Sequence, residues 1–153
     1  MKHTLKLCFC LVMVALPAWA DGASIRARAP WLRAPAGQAE VAAGYVTLEN
    51  AGPDDRLIAA ESPAAERVEI HDMTFDKGVM KMREAKEGLP IARGALLALK
   101  PRGAHLMLVR PRTKLVEGQT VKVTLRFAHA SALELDLPVL PSTATGPAAS
   151  QAP

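Results

Sequence analysis

Two runs near the end of the chain alternate apolar and polar residues with a period of two. Val121, Val123, Leu125 and Phe127 alternate with Lys122, Thr124 and Arg126, and Leu133, Leu135 and Leu137 alternate with Glu134 and Asp136. That period belongs to a strand with one buried face, and Ala128 to Ser131 between the runs reads as a hairpin turn. Noisier alternation recurs at Ile25 to Arg33, Gly44 to Asn50, Arg56 to Glu61, Arg67 to Met73, Val79 to Glu84, Leu96 to Lys100 and His105 to Arg110. Turn chemistry separates these runs at Pro35-Ala36-Gly37, Gly52-Pro53-Asp54, Asp76-Lys77-Gly78 and Pro101-Arg102-Gly103. No stretch keeps a 3.6-residue period with capping signals, so a single turn near Pro63 to Glu66 is the most helix expected. Eight or nine short strands without internal repeat predict an all-β, antiparallel Greek-key β-sandwich.

The first twenty residues read as a secretory signal peptide and stand outside the fold. Lys2, His3 and Lys6 form a basic start, Leu7 to Leu16 an apolar run too short to span a bilayer, and Ala18-Trp19-Ala20 a small-x-small cleavage site. Cleavage after Ala20 is expected. A lipid-anchored product is less well supported, because Cys8 and Cys10 lie within the apolar run and no small residue precedes either.

Cleavage removes both cysteines and two lysines, leaving 133 residues and lowering the formal charge from +4 to +2. A disulfide framework, cysteine catalysis and a thiolate metal site are thereby excluded. The expected organisation is a cleaved segment over residues 1–20, one domain over 21–140 and a flexible Pro/Ala/Ser/Thr-rich tail over 141–153. The tail carries no charged side chain and too little apolar surface to fold. No later apolar segment is long enough to span a membrane, so a product located in the periplasm is expected.

Within the predicted domain, His71 and Met73, Met80 and Met82, and His105 and Met107 form three pairs at i, i+2. Side chains at that spacing share one face of a strand. The pairs hold every methionine after residue 20 and every histidine there except His129. Val68 and Ile70 alternate with Glu69, His71 and Met73, and Leu106 and Leu108 with His105 and Met107, so the ligand-type side chains fall opposite the apolar ones. Thioethers are soft donors that select Cu(I), and imidazole binds Cu(I), Cu(II) and Zn(II) alike. A Met/His set without carboxylates or thiolates therefore favours monovalent copper over zinc, calcium or magnesium. Each methionine taken singly is more often core filler than ligand; the joint pattern is what points to a metal. His129, with no such partner, reads as an exposed turn residue.

The stretch His71-Asp72-Met73-Thr74-Phe75-Asp76-Lys77-Gly78-Val79-Met80-Lys81-Met82, followed by His105-Leu106-Met107, resembles the PCuAC copper chaperones, formerly a DUF461 domain. The family pattern is His, ten residues, Met, a spacer of about twenty-one residues, then His-x-Met. The first gap here is ten residues and the second twenty-two, the extra residue falling within Glu87 to Gly103. Pro30-Trp31-Leu32-Arg33, Ala43-Gly44-Tyr45-Val46-Thr47-Leu48-Glu49-Asn50 and Asp55-Arg56-Leu57 resemble further landmarks, and the likeness runs from about Ile25 to Leu140.

The resemblance implies a cupredoxin-like sandwich that binds one Cu(I) per monomer through His71, Met82, His105 and Met107, with Met73 and Met80 as supporting or alternative ligands. The His- and Met-rich C-terminal extension of some members is missing, so no second site is expected in the tail. The resemblance also implies delivery of copper to the binuclear centre of cytochrome c oxidase subunit II, alongside a Sco-type thiol protein. Sequestration for copper homeostasis would use the same ligands.

Other classes fit less well. A blue-copper electron carrier needs a thiolate, and no Gly-x-Ser-x-Gly or His-Glu-x-x-His motif marks an enzyme. Nucleic acid is not an expected partner, for want of aromatic platforms and excess charge. Lys100, Arg102, Arg110, Arg112, Lys114, Lys122 and Arg126 face only Glu117 in their segment; they offer either a surface that steers docking to an acidic patch or an ordinary solvated face.

Overall fold

The computed structural model describes residues 24–147; the proposed cleavage site and the last six residues of the tail lie outside them. Ten strands occupy the described residues: β1 (Ile25–Arg33), β2 (Val41–Asn50), β3 (Asp55–Glu61), β4 (Ala65–Asp76), β5 (Val79–Glu84), β6 (Leu89–Ile91), β7 (Leu96–Leu99), β8 (His105–Pro111), β9 (Thr120–Phe127) and β10 (Leu133–Leu140). No helix forms among them. Pro63 and Ala64 make a turn, and the chain is already extended at Ala65.

The strands follow the order β5-β4-β8-β2-β1-β10-β9-β3-β6, with β7 added to β2. A bridge between Ala60 of β3 and Val68 of β4 closes the sheet into a barrel. The expected cupredoxin-like class holds, with two features that the alternation did not carry. One pairing, β1 with β10, is parallel, and β6 is a three-residue strand with Pro90 at its centre. Pro90 can sit there because β6 is an outer strand of the sheet.

The core follows from the alternation. Val121, Val123, Leu125 and Phe127 are buried, as are Leu135, Leu137 and Val139 from β10. They pack with Leu32, Leu48, Leu57, Ile70, Leu106 and Leu108 in one cluster. Each such side chain contributes about 1.5–3 kcal/mol by leaving water. Ile70, Leu106 and Leu108 thus commit the inner faces of β4 and β8 to the core and leave the opposite faces to the residues between them.

The β4–β5 hairpin sets the register on that opposite face. Asp76 pairs with Val79 across a two-residue turn in which Lys77 has φ 49° and Gly78 φ 82°. Two positive φ values define the hairpin turn that matches strand twist, and Gly78 adopts its value without a Cβ penalty. With the turn fixed, Phe75 faces Met80, Met73 faces Met82, and His71 faces Glu84. A one-residue slip would turn all of β5's side chains to the other face.

Candidate metal centre

On β8, which pairs with β4 on the side away from β5, His105 lies directly opposite His71 and Met107 directly opposite Glu69. Directly paired residues point to one face, so three rows form there. Met82 and Met73 make the first. Glu84, His71 and His105 make the second, which continues through Tyr45, whose ring lies 6.4 Å from that of His105, to its partner Trp31. Glu69, Met107 and Ala43 make the third. The six sequence-predicted side chains therefore share a face, with the two imidazoles central, Met73 and Met82 on one side of them and Met107 on the other. Met80 stands one row farther out, opposite Phe75.

The histidines are more enclosed than a face opposite the core suggests, each only 9% exposed. A small aromatic layer provides the cover on the β2 side: the Trp31 and Tyr45 rings lie 4.4 Å apart, and the Arg33 guanidinium sits over both at 5.5 and 5.3 Å. Burial pushes the Tyr45 hydroxyl above its usual range although Arg33 pulls it down. Met73 and Met107 are half-buried, while Met80 and Met82 on the outer strand β5 are exposed.

The imidazole rings meet edge to face with centroids 5.5 Å apart. A metal–imidazole bond of about 2 Å puts each ring centre roughly 3 Å from the ion, so two rings on one ion stand about 5–6 Å apart. His105 Nδ1 lies 2.9 Å from the Gly103 carbonyl oxygen. An oxygen that only accepts requires N–H at that atom, so the lone pair of neutral His105 is on Nε2. Burial holds the His105 pKa below its usual value; the Gly103 bond acts in the opposite sense, and the nearby His71 lowers it further.

His71 is held differently. Its Nε2 lies 2.9 Å from a Glu69 carboxylate oxygen, and its Nδ1 is buried without a hydrogen-bond partner. Glu69 also accepts from Arg67 Nε at 2.6 Å. The Arg67 bond, ahead of the one from His71, holds the Glu69 carboxyl below the usual range against the effect of burial. A buried nitrogen lone pair with no donor is costly unless something binds it. That nitrogen, beside a second imidazole and flanked by thioethers, fits a soft cation. No three His, Cys, Asp or Glu side chains among the described residues gather into a metal-binding group.

Three contributors escaped the spacing of His and Met. Glu69 shares His71's face at i, i+2, where its carboxylate contacts the imidazole. Tyr45 and Trp31 come from strands distant in sequence, and only the pairing of β1, β2 and β8 brings them in. His129 stays apart, in the β9–β10 connection, where its backbone N–H donates to Asp55. Three of the seven basic residues of that segment are ion-paired: Arg110 with Glu66, Lys122 with Asp136 and Arg126 with Glu61.

The chain belongs to the LpqE-like family, described as "Putative lipoprotein LpqE-like", whose model matches residues 25–139. It is 35% identical over 121 residues to "Putative lipoprotein Lxx21020" of Leifsonia xyli subsp. xyli, covering 78% of this chain and 70% of the relative. Its fold is that of the PCuAC domains. The copper-bound PCuAC domain from PmoF2 superimposes with a TM-score of 0.64 at 24% identity, over 77% of this chain and 93% of that domain. The CuI-DR1885 solution structure from Deinococcus radiodurans does so with 0.61 at 26% identity, over 80% and 82%.

Proposed function

We propose that the protein is an exported metallochaperone that binds one Cu(I) ion as cargo through His71, His105, Met107 and Met82, and passes it on by ligand exchange. The observation that carries this reading is the buried, unpartnered Nδ1 of His71 beside His105, on a face that also carries the thioethers of Met73, Met82 and Met107. Soft donors without a thiolate select Cu(I). Met73, directly opposite Met82 and next to His71 on β4, is the alternative fourth ligand. The copper named in the PmoF2 and DR1885 structures supports the same choice.

Four neutral donors leave the bound ion its positive charge, and no anionic ligand has to be displaced. An incoming donor can therefore replace one thioether at a time, starting from exposed Met82, while the enclosed imidazoles retain the ion. No redox step is needed. The recipient proposed from the family resemblance is the binuclear copper centre of cytochrome c oxidase subunit II, with a Sco-type thiol protein alongside. Export to the periplasm is supported by the N-terminal pattern and by the lipoprotein names of the family and its relative. No helix among the described residues is long and apolar enough to cross a membrane.

Deleting the gene tests delivery. A carrier predicts fewer assembled copper oxidases when copper is scarce, restored by added copper. Normal oxidase with heightened sensitivity to excess copper would contradict delivery and indicate sequestration.

A further inference from the structure

We propose that Glu69 is a positioning residue for the metal centre: it holds the proton of His71 on Nε2, so that the ion is bound by Nδ1 of His71 and Nε2 of His105. The inference rests on the copper-binding reading above and adds which atoms bind and what fixes them.

The geometry is asymmetric in a way the sequence does not suggest. Both histidines head a His-x-Met element, yet their rings are anchored at opposite nitrogens, His105 at Nδ1 by Gly103 and His71 at Nε2 by Glu69. Both anchors are acceptor oxygens, so each ring presents its other nitrogen as the lone pair. The Gly103 anchor is a backbone carbonyl at the turn into β8, and no substitution at that position removes it. Glu69 is a side chain and is therefore the adjustable anchor. Arg67, Glu69 and His71 occupy alternate positions of β4, so a chain of charge-assisted bonds at 2.6 and 2.9 Å runs along one strand face into the imidazole. A carboxylate on the far nitrogen orients a ligand imidazole and raises its basicity, and its loss typically weakens metal binding about 10- to 100-fold. Arg67 holds the other carboxylate oxygen, Oε1, and leaves Oε2 for His71.

The test is histidine-selective nitrogen NMR of the mature chain, without copper and with anaerobic Cu(I), in wild type, Glu69→Ala and Glu69→Gln. Without copper, His71 is expected as the Nε2–H form and His105 as the Nδ1–H form; with Cu(I), the large shifts should fall on His71 Nδ1 and His105 Nε2. Glu69→Ala should mix the His71 tautomers and weaken Cu(I) binding about tenfold or more. Glu69→Gln, whose amide oxygen still accepts from Nε2–H, should keep the tautomer and stay within a few-fold of wild type, which separates positioning from loss of fold. Cu(I) uptake with His71 bound through Nε2, or an unchanged tautomer in Glu69→Ala, would overturn the role of Glu69 and leave copper binding standing. Absence of Cu(I) uptake by the wild type would overturn both.

Discussion

His71 and His105 are direct partners across β4 and β8, their ring centroids 5.5 Å apart, and each has one nitrogen held by an acceptor oxygen. In the proposed copper centre that pair is the fixed part. The thioethers around it differ in exposure, and the proposed division between retention and exchange rests on that difference.

Met82 and Met80 are similarly exposed on β5, at 50% and 47%, but only Met82 lies in the row beside the histidines. Met82→Leu keeps the shape and removes the sulfur, so it should weaken Cu(I) binding, whereas Met80→Leu should leave affinity near wild type. Both should change stability by no more than about 0.5 kcal/mol, as surface substitutions do. Chelator competition and thermal melts on the two variants check the contrast.

The hairpin turn predicts a register effect. Gly78→Val places a β-branched residue at φ 82°, a conformation costing roughly 1–2 kcal/mol for a residue with a Cβ. Nothing within 4 Å would meet the new Cβ, so the penalty is conformational and not a clash. Weaker Cu(I) binding is expected in a folded variant, with altered β4–β5 cross-strand contacts in NMR. Unchanged contacts and affinity would show that the turn does not set Met82's position.

Asp55 predicts a pH dependence of stability away from the metal face. Burial raises its pKa, but backbone N–H groups of Arg56, Ala130 and His129 donating to its carboxylate outweigh burial and leave it below the usual value. A group depressed in the folded state stabilises above its unfolded pKa of about 3.9 and loses that contribution as pH falls toward the folded value. Asp55→Ala should therefore cost on the order of 1–3 kcal/mol at pH 7, with the gap from wild type closing below about pH 4. Denaturant melts at pH 7 and pH 3 measure it.

Much of this was legible in the residues. Nine of the ten strands announce themselves by alternation, most of them because one face is committed to the core; β5 alternates although every one of its residues is exposed. β6 did not, since Leu89-Pro90-Ile91 is too short to show a period and holds a proline. The parallel β1–β10 pairing joins opposite ends of the chain and leaves no local mark. Irregularity in β1 has a local cause: Ala29 takes φ 47°, and the register shifts between Arg28 and Trp31. That the two members of each His and Met pair share a face followed from i, i+2 spacing; that the three pairs share one face comes from the register of β4 with β5 and β8. Glu69's bond to His71 and the Trp31–Tyr45 cover depend on side-chain direction and long-range pairing, which spacing does not encode.

The central claim is tested most directly by anaerobic titration of residues 21 onward with Cu(I) against a chromogenic chelator, alongside His71→Ala/His105→Ala and His129→Ala. One equivalent bound by the wild type and by His129→Ala, and lost in the double variant, is the expected result. Binding that survives removal of both imidazoles, or no competition by the wild type at all, would contradict it.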